Sequence, residues 1–437
     1  MVTSEIGKIF LKAYNEKYGT TYNARTFFIE QFYPLFFDHN KYMLYVRNSP
    51  FVQGLPKFND CVTGKKEFEK PSKREERLKD FLNKVENNDG DASVAVGFPS
   101  LSIEQATGSQ ITNLIRVTPK EDIYASWIGY ALGIGVGGYT ILFNDKRILI
   151  DVFEGWKYYR QALNDTLMLS PNQINTWNGQ WLTHYYDERC YDNDDPLSNF
   201  DPYVVGNDGS MKVNSQTWTK VLISIARKYE DKRIMGYVCS MGKTNTTIGF
   251  IPFDLTQIRR PIHLYEKLFG ISDGRKAEAL WGTSFGFDTA CTMGVIGVKA
   301  MKPKGIDDYI KPQGEKSIKL PKKSKNEQKN ININTYKIWL TVMLNNENLW
   351  VKTQEFAQLL KNNVIDKDKT ISTNRTNLIK AIIESVSKKN FIDAVTKIIP
   401  FVEDKNGLKN IVMEVNDTPN DKIPYFLTLL RFQYQLL

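Results

Sequence analysis

The sequence predicts an α+β protein: a mixed α/β N-terminal body with antiparallel hairpins over residues 1–300, a basic lysine-rich linker over 301–334, and a C-terminal α-helical bundle over 335–437. Three observations predict it. Up to about residue 300, stretches of helical periodicity alternate with short β-branched and aromatic runs punctuated by glycine. From Lys299 to Asn334 the chain carries ten lysines against four acidic residues, with Pro303, Pro312 and Pro321 and little apolar periodicity. Such a stretch buries too little surface to offset its ordering entropy. Beyond it, apolar residues recur at three- and four-residue steps, as in Leu378, Ile382 and Val386, the spacing of helices packed on one face.

Composition narrows the class. At 437 residues there is room for two or three domains, and 41% hydrophobic with 12% aromatic residues is the content of a folded soluble protein. The net charge of +9, six units of it from the 299–334 stretch, favours an anionic partner, nucleic acid before membrane. Cys61, Cys190, Cys239 and Cys291 form no C-x-x-C pair, which argues against a zinc ribbon or a disulfide frame and for a reducing, cytoplasmic setting. No signal peptide is expected at the N-terminus, and no apolar run approaches the ~18 residues of a membrane span.

Taken in order, Thr3 or Ser4 is expected to cap a first helix with Ile6, Ile9, Phe10, Ala13 and Tyr14 on one face. A second is expected from Ala24, its stripe of Phe27, Phe28, Phe32, Leu35 and Phe36 assigned to the core ahead of a base-stacking surface. Asn48–Phe58 reads as loop, and Phe68–Asn87 as a charged amphipathic helix. Ser93–Pro119 reads as a strand pair with a polar turn, whose Gln105, Ser109, Gln110 and Asn113 are neutral groups suited to phosphate oxygens or base edges. Glu121–Leu132 reads as helix. Gly133–Gly138 spells G-x-G-x-x-G, but a helix precedes it and the strand Tyr139–Phe143 follows, so no dinucleotide site is assigned.

TILF-NDK-RILIDVF reads as a hairpin turning at Asn144-Asp145-Lys146, with a helix from about Glu154 after it. Thr176–Gly209 is expected to be an acidic loop without EF-hand spacing, and no metal or cofactor is assigned to it. Ser215–Tyr229 reads as helix and Arg233–Phe253 as strand, turn, strand. Gly242-Lys243-Thr244 ends like a P-loop, yet position 237 is Tyr where that motif needs glycine, and a strand follows instead of a helix. Lys243, Thr244 and Asn245 are instead suited to a DNA groove. In the linker, Lys319, Lys322, Lys323 and Lys325 are candidates for phosphate contacts. Helices are expected at Tyr336–Asn345, Thr353–Asn362, Asn374–Lys388, Asn390–Pro400 and Tyr425–Leu436.

Catalytic sets are hard to assemble. A metal-dependent nuclease would need an aspartate at one strand and Glu-x-Lys on the next. Asp151 follows RILI, but Glu230-Asp231-Lys232 lies about eighty residues on, at a helix end. Three scattered histidines build no His-based site. A type II restriction-like, metal-dependent DNA endonuclease is the alternative reading. In organisation, and in its aromatic segment ARTFFIEQFYPLFFDHNKYM, the chain resembles the large subunit of a type I CRISPR Cascade surveillance complex. That resemblance implies a non-catalytic subunit of an RNA-guided antiviral complex. Its partners would be double-stranded DNA with a short recognition motif, the displaced single strand, and guide RNA among other proteins.

Overall fold

The computed structural model describes residues 1–46, 49–87, 90–100, 118–207, 209–241, 245–270, 276–282, 284–310, 318–362 and 369–437. It is an α+β protein with antiparallel strands and a helical C-terminal region, as the sequence predicts. By internal contacts it divides into two units, Met1–Leu255 with Phe287–Ile296, and Thr256–Gly286 with Gly297–Leu437. The sequence placed its first boundary at residue 300, without the return of 287–296 to the first unit.

In the first unit, α1 (Val2–Tyr18) crosses α6 (Lys120–Ala131) at two glycines. A Cβ on Gly7 would stand 2.0 Å from the Ala125 carbonyl oxygen, and one on Gly129 1.9 Å from that of Thr3. Neither Thr3 nor Ser4 caps α1. The helix begins at Val2, and both hydroxyls are buried, donating to the carbonyls of Val96 (2.7 Å) and Asp122 (2.8 Å). After α1, Asn23 caps α2 (Ala24–Phe27), which runs through a π turn (Phe28–Phe32) into α3 (Tyr33–Phe36). Pro34 lacks the N–H that would close an α turn on Glu30, so the backbone widens there. Phe27, Phe28, Phe32 and Phe36 are buried, as the core assignment requires. Phe32 stacks on Phe36 at 4.1 Å and Phe36 meets Trp156 edge-on at 4.8 Å. The short α4 (Phe58–Val62) and α5 (Pro71–Asn87) flank this aromatic core, to which α5 contributes Phe81.

Among the described residues the strands are β1 (Ile134–Val136), β2 (Tyr139–Phe143), β3 (Tyr203–Val205), β4 (Met211–Val213), β5 (Arg233–Met241) and β6 (Asn245–Asp254). Four make an antiparallel sheet in the order β1-β2-β5-β6, and β3 pairs with β4. Gly137 and Gly138 turn β1 into β2 at φ +55° and +83°, the left-handed pair a two-residue hairpin turn needs. The G-x-G-x-x-G stretch is therefore strand β1 and the β-turn that ends it.

Two further sequence expectations fail in this unit. Asn144-Asp145-Lys146 is not a hairpin turn: Asp145 accepts from the Arg147 N–H at 2.9 Å and caps α7 (Lys146–Glu154), which α8 (Trp156–Asp165) follows. Thr176–Tyr185 is not loop but most of α9 (Ile174–Tyr185). Trp177 and Trp181, one turn apart, are fully buried and donate to the Gly155 and Asp151 carbonyls. Asn178 donates to the carbonyls of Ala131 and Gly133 at 2.8 Å. These long-range bonds override the weak helix propensity of Asn and Gly. The helix α10 (Trp218–Lys228) lies as expected.

The second unit takes most of α11 (Leu255–Phe269); α12 (Phe287–Cys291) belongs to the first. Then come α13 (Asp307–Ile310), α14 (Glu327–Leu344), α15 (Asn348–Asn362), α16 (Lys369–Ile383), α17 (Lys388–Ile398), α18 (Lys405–Asp417) and α19 (Ile423–Leu436). The described parts of the expected linker are packed. Met301, Ile306, Ile310 and Pro321 are buried, and α14, capped by Asn326, starts inside it. Trp339 donates to the Val298 carbonyl at 2.9 Å and Tyr336 to that of Lys304 at 2.6 Å. Apolar anchors at turn-like spacing thus outweigh the lysine content. Among the described residues no helix is long and apolar enough to cross a membrane.

Candidate nucleic-acid interface

Several sequence-chosen residues lie outside the described ones: Gln105, Ser109, Gln110 and Asn113, and Lys243 and Thr244 at the β5–β6 connection. Asn245 opens β6, its backbone paired with Met241. What the structure does describe is the hairpin itself. Tyr237 is the direct cross-strand partner of Phe250, and Met235 that of Pro252, so all four side chains share one face. Phe250 is 63% exposed and Met235 43%, with Tyr237 half-buried beside them. The Tyr237 and Phe250 rings stand 5.2 Å apart, and the Tyr237 hydroxyl reaches the exposed Thr247 hydroxyl at 3.3 Å. On β2, Leu142 continues the same face next to Tyr237 but is buried. The face is closed over β2 and open over β5–β6.

Beyond this face, toward the tip, the hairpin changes course. Between Val238 and Cys239 the register slips by a bulge, with Gly249 opposite at φ +109°. A bulge raises twist and turns the outer end of a hairpin away from the sheet it leaves. Two arginines at the hairpin base are already paired. Arg233 meets Asp254 at 3.4 Å, and Arg147 meets Asp145 and Asp231 at 2.5 and 2.9 Å while lying 4.4 Å from the centre of the Tyr229 ring. The open face is therefore apolar and hydroxyl-bearing, suited to stacking on a base or sugar, with charge left to other segments.

The four linker lysines divide into two kinds. Lys319 pairs with Asp308 at 3.0 Å and lies 5.0 Å over the Tyr309 ring, which holds its ammonium above the usual value, chiefly through the Asp308 bond. Lys323 donates to the Leu437 backbone oxygen at 2.8 Å. Lys322 and Lys325 are exposed, and among the described residues neither has an ion-pair partner. The structure brings these lysines together along one segment of the second unit.

The carboxylate considered for a nuclease sits elsewhere than expected. Asp151 is in α7, not at a strand end. Its Oδ2 accepts from the hydroxyls of Tyr186 (2.8 Å) and Tyr229 (2.5 Å), and burial raises its pKa above the ordinary value against the effect of those bonds. Glu230 lies between α10 and β5, on no strand. Among the described residues no group of three or more His, Cys, Asp or Glu side chains is placed to hold a metal ion.

The Tyr237–Phe250 pair was missed in the sequence. Its signal is the aromatic at Phe250 amid Thr247, Gly249 and Pro252, but alternation alone does not tell which face of a hairpin is covered. Comparison with protein-family models, with curated proteins and with solved structures finds no match to this chain.

Proposed function

We propose that this chain is a nucleic-acid-binding subunit that performs no cleavage itself. It would recognise a short duplex DNA motif and hold the displaced strand within an RNA-guided assembly. The observation that carries the reading is the Tyr237–Phe250 pair on the open face of the β5–β6 hairpin. Leaving a phenylalanine in water forgoes roughly 2 kcal/mol of burial, a loss a stacked base would offset. The exposed Lys322 and Lys325 and the net charge of +9 support a polyanionic partner. The duplex motif and the guide-RNA context rest on the resemblance in organisation alone.

The test is fluorescence anisotropy with single- and double-stranded oligonucleotides across a salt series. Phe250→Ala should weaken single-strand binding by about 1–3 kcal/mol with an unchanged salt slope. Changing Lys322 and Lys325 to Gln should flatten the slope of log K against log salt by roughly 0.9 for each duplex phosphate that is no longer neutralised. Wild-type protein that binds neither oligonucleotide at low salt sinks the proposal. Magnesium-dependent cleavage abolished by Asp151→Ala would replace it with the endonuclease reading.

A further inference from the structure

The first unit contains two buried cations without a counter-charge. Lys41 is 8% exposed and Arg160 6%. The Lys41 ammonium donates to the Thr166 carbonyl at 2.5 Å; Arg160 donates through Nε to the Leu35 carbonyl (2.9 Å) and through Nη1 to that of Lys41 (2.8 Å). Among the described residues Nη2 of Arg160 has no acceptor, and no carboxylate acts on either cation. Burial, then the Arg160 guanidinium, brings Lys41 down to about 8, and burial brings Arg160 down to about 10. His39 is lowered to about 4 by burial and then by Arg160, so it is neutral at pH 7.

Lys41 lines an open groove of about 430 Å³ together with His39, Asn40 and Arg74. Two carboxylates also line it, Asp38 and Asp165. Asp38 is taken by Arg74 Nε at 3.1 Å, and Asp165 is exposed. Burying like charges side by side is costly unless an anion joins them. No residue of the described chain supplies that anion, while the groove gives one access to Lys41.

We propose that this groove takes a phosphate group, held by the Lys41 ammonium, with the Arg160 guanidinium behind it supplying the second positive charge. A dianion matches the two cations, and phosphate oxygens accept the short, charge-assisted bonds that the Lys41 ammonium gives. The site is separate from the hairpin face and does not depend on it. Its phosphate belongs either to a small phosphorylated compound or to a nucleic-acid backbone.

The experiment follows thermal unfolding of the full chain in inorganic phosphate and in sodium chloride of equal ionic strength. In wild type, phosphate at ten times its dissociation constant should raise Tm by about 3 °C over chloride. Lys41→Arg should keep a rise and Lys41→Met should lose it. In chloride, Lys41→Met should be at least as stable as wild type, because it removes one of two like charges. A single-stranded oligonucleotide lacking terminal phosphate that abolishes the phosphate response assigns the site to a backbone phosphate; a response that survives assigns it to a small compound. An equal rise in chloride, or a rise retained by Lys41→Met, overturns the proposal. Should Lys41→Met fail to fold, saturable ³¹P line broadening of inorganic phosphate by wild-type protein decides, and its absence overturns the site.

Discussion

At the scale of single residues, two buried arginines carry out the same task in different units. Arg160 serves the carbonyls of Leu35 and Lys41, and Arg431, 2% exposed, serves those of Ile383, Ser385 and Tyr309. Leu35 and Ile383 lie in last turns of helices, where carbonyls lack intrahelical donors and a cation is favoured. Neither role is legible in the sequence, because an arginine within a helical run reads as solvated until its neighbours in space are known. His39 offers a test of such burial. Its folded pKa of about 4 lies below the ordinary 6.5, so the unfolded chain takes up the proton first. The associated stability is present above pH 6.5 and is lost as pH falls from 6.5 toward 4. Urea unfolding at pH 7.5 and pH 5 should therefore show a larger loss for wild type than for His39→Gln. Equal losses would mean that the imidazole is solvated.

At the scale of elements, the α1–α6 crossing depends on two missing side chains. The Cβ of Gly129→Ala would overlap the Thr3 carbonyl, a backbone atom that moves only if the helices part. The expected cost is on the order of 3 kcal/mol. Gly138→Ala meets no atom within 4 Å and strains only its φ of +83°, so about 1 kcal/mol is expected. Denaturant midpoints of the two variants check this, and a Gly129→Ala no worse than Gly138→Ala would show that the crossing is loose. Element reading from sequence succeeded where one face is apolar and periodic, as in α10 and the β5–β6 hairpin. It failed at α7, where Ile148, Leu149 and Ile150 read as strand although the Asp145 cap and Val152 one turn on fit a helix. It failed again at α9, whose Asn178 and Gly179 are chosen for contacts with residues more than forty positions away.

At the scale of the whole molecule, the helical C-terminal region was legible and its beginning was not. Lysine content marked 301–334 as a tether, yet the sparse apolar residues there have partners: Tyr309 lies 5.0 Å from Phe432 ring to ring, and Trp339 needs the Val298 carbonyl. A fragment of residues 297–437 should consequently unfold cooperatively and at a higher temperature than one of 335–437. Thermal circular dichroism compares them directly, and equal midpoints would return residues 297–334 to the status of a tether. Of the candidate interface, the hairpin was legible and its open face was not, since coverage depends on what packs over β2.

The edge of the sheet bears on how copies of this protein behave toward one another. As the last strand of the sheet among the described residues, β6 presents backbone groups that a second chain could extend into a continuous sheet. Near its base that edge is already occupied: Ile296 donates to the Pro252 carbonyl at 3.0 Å and accepts from the Asp254 N–H at 2.9 Å. The carbonyl of Pro252 faces outward, so the N–H that proline lacks would have faced outward too. With the bulge twisting the far end, β6 is a poor template for edge-to-edge growth. The exposed Phe250 thus sits on a hairpin whose free edge is partly closed to strand pairing.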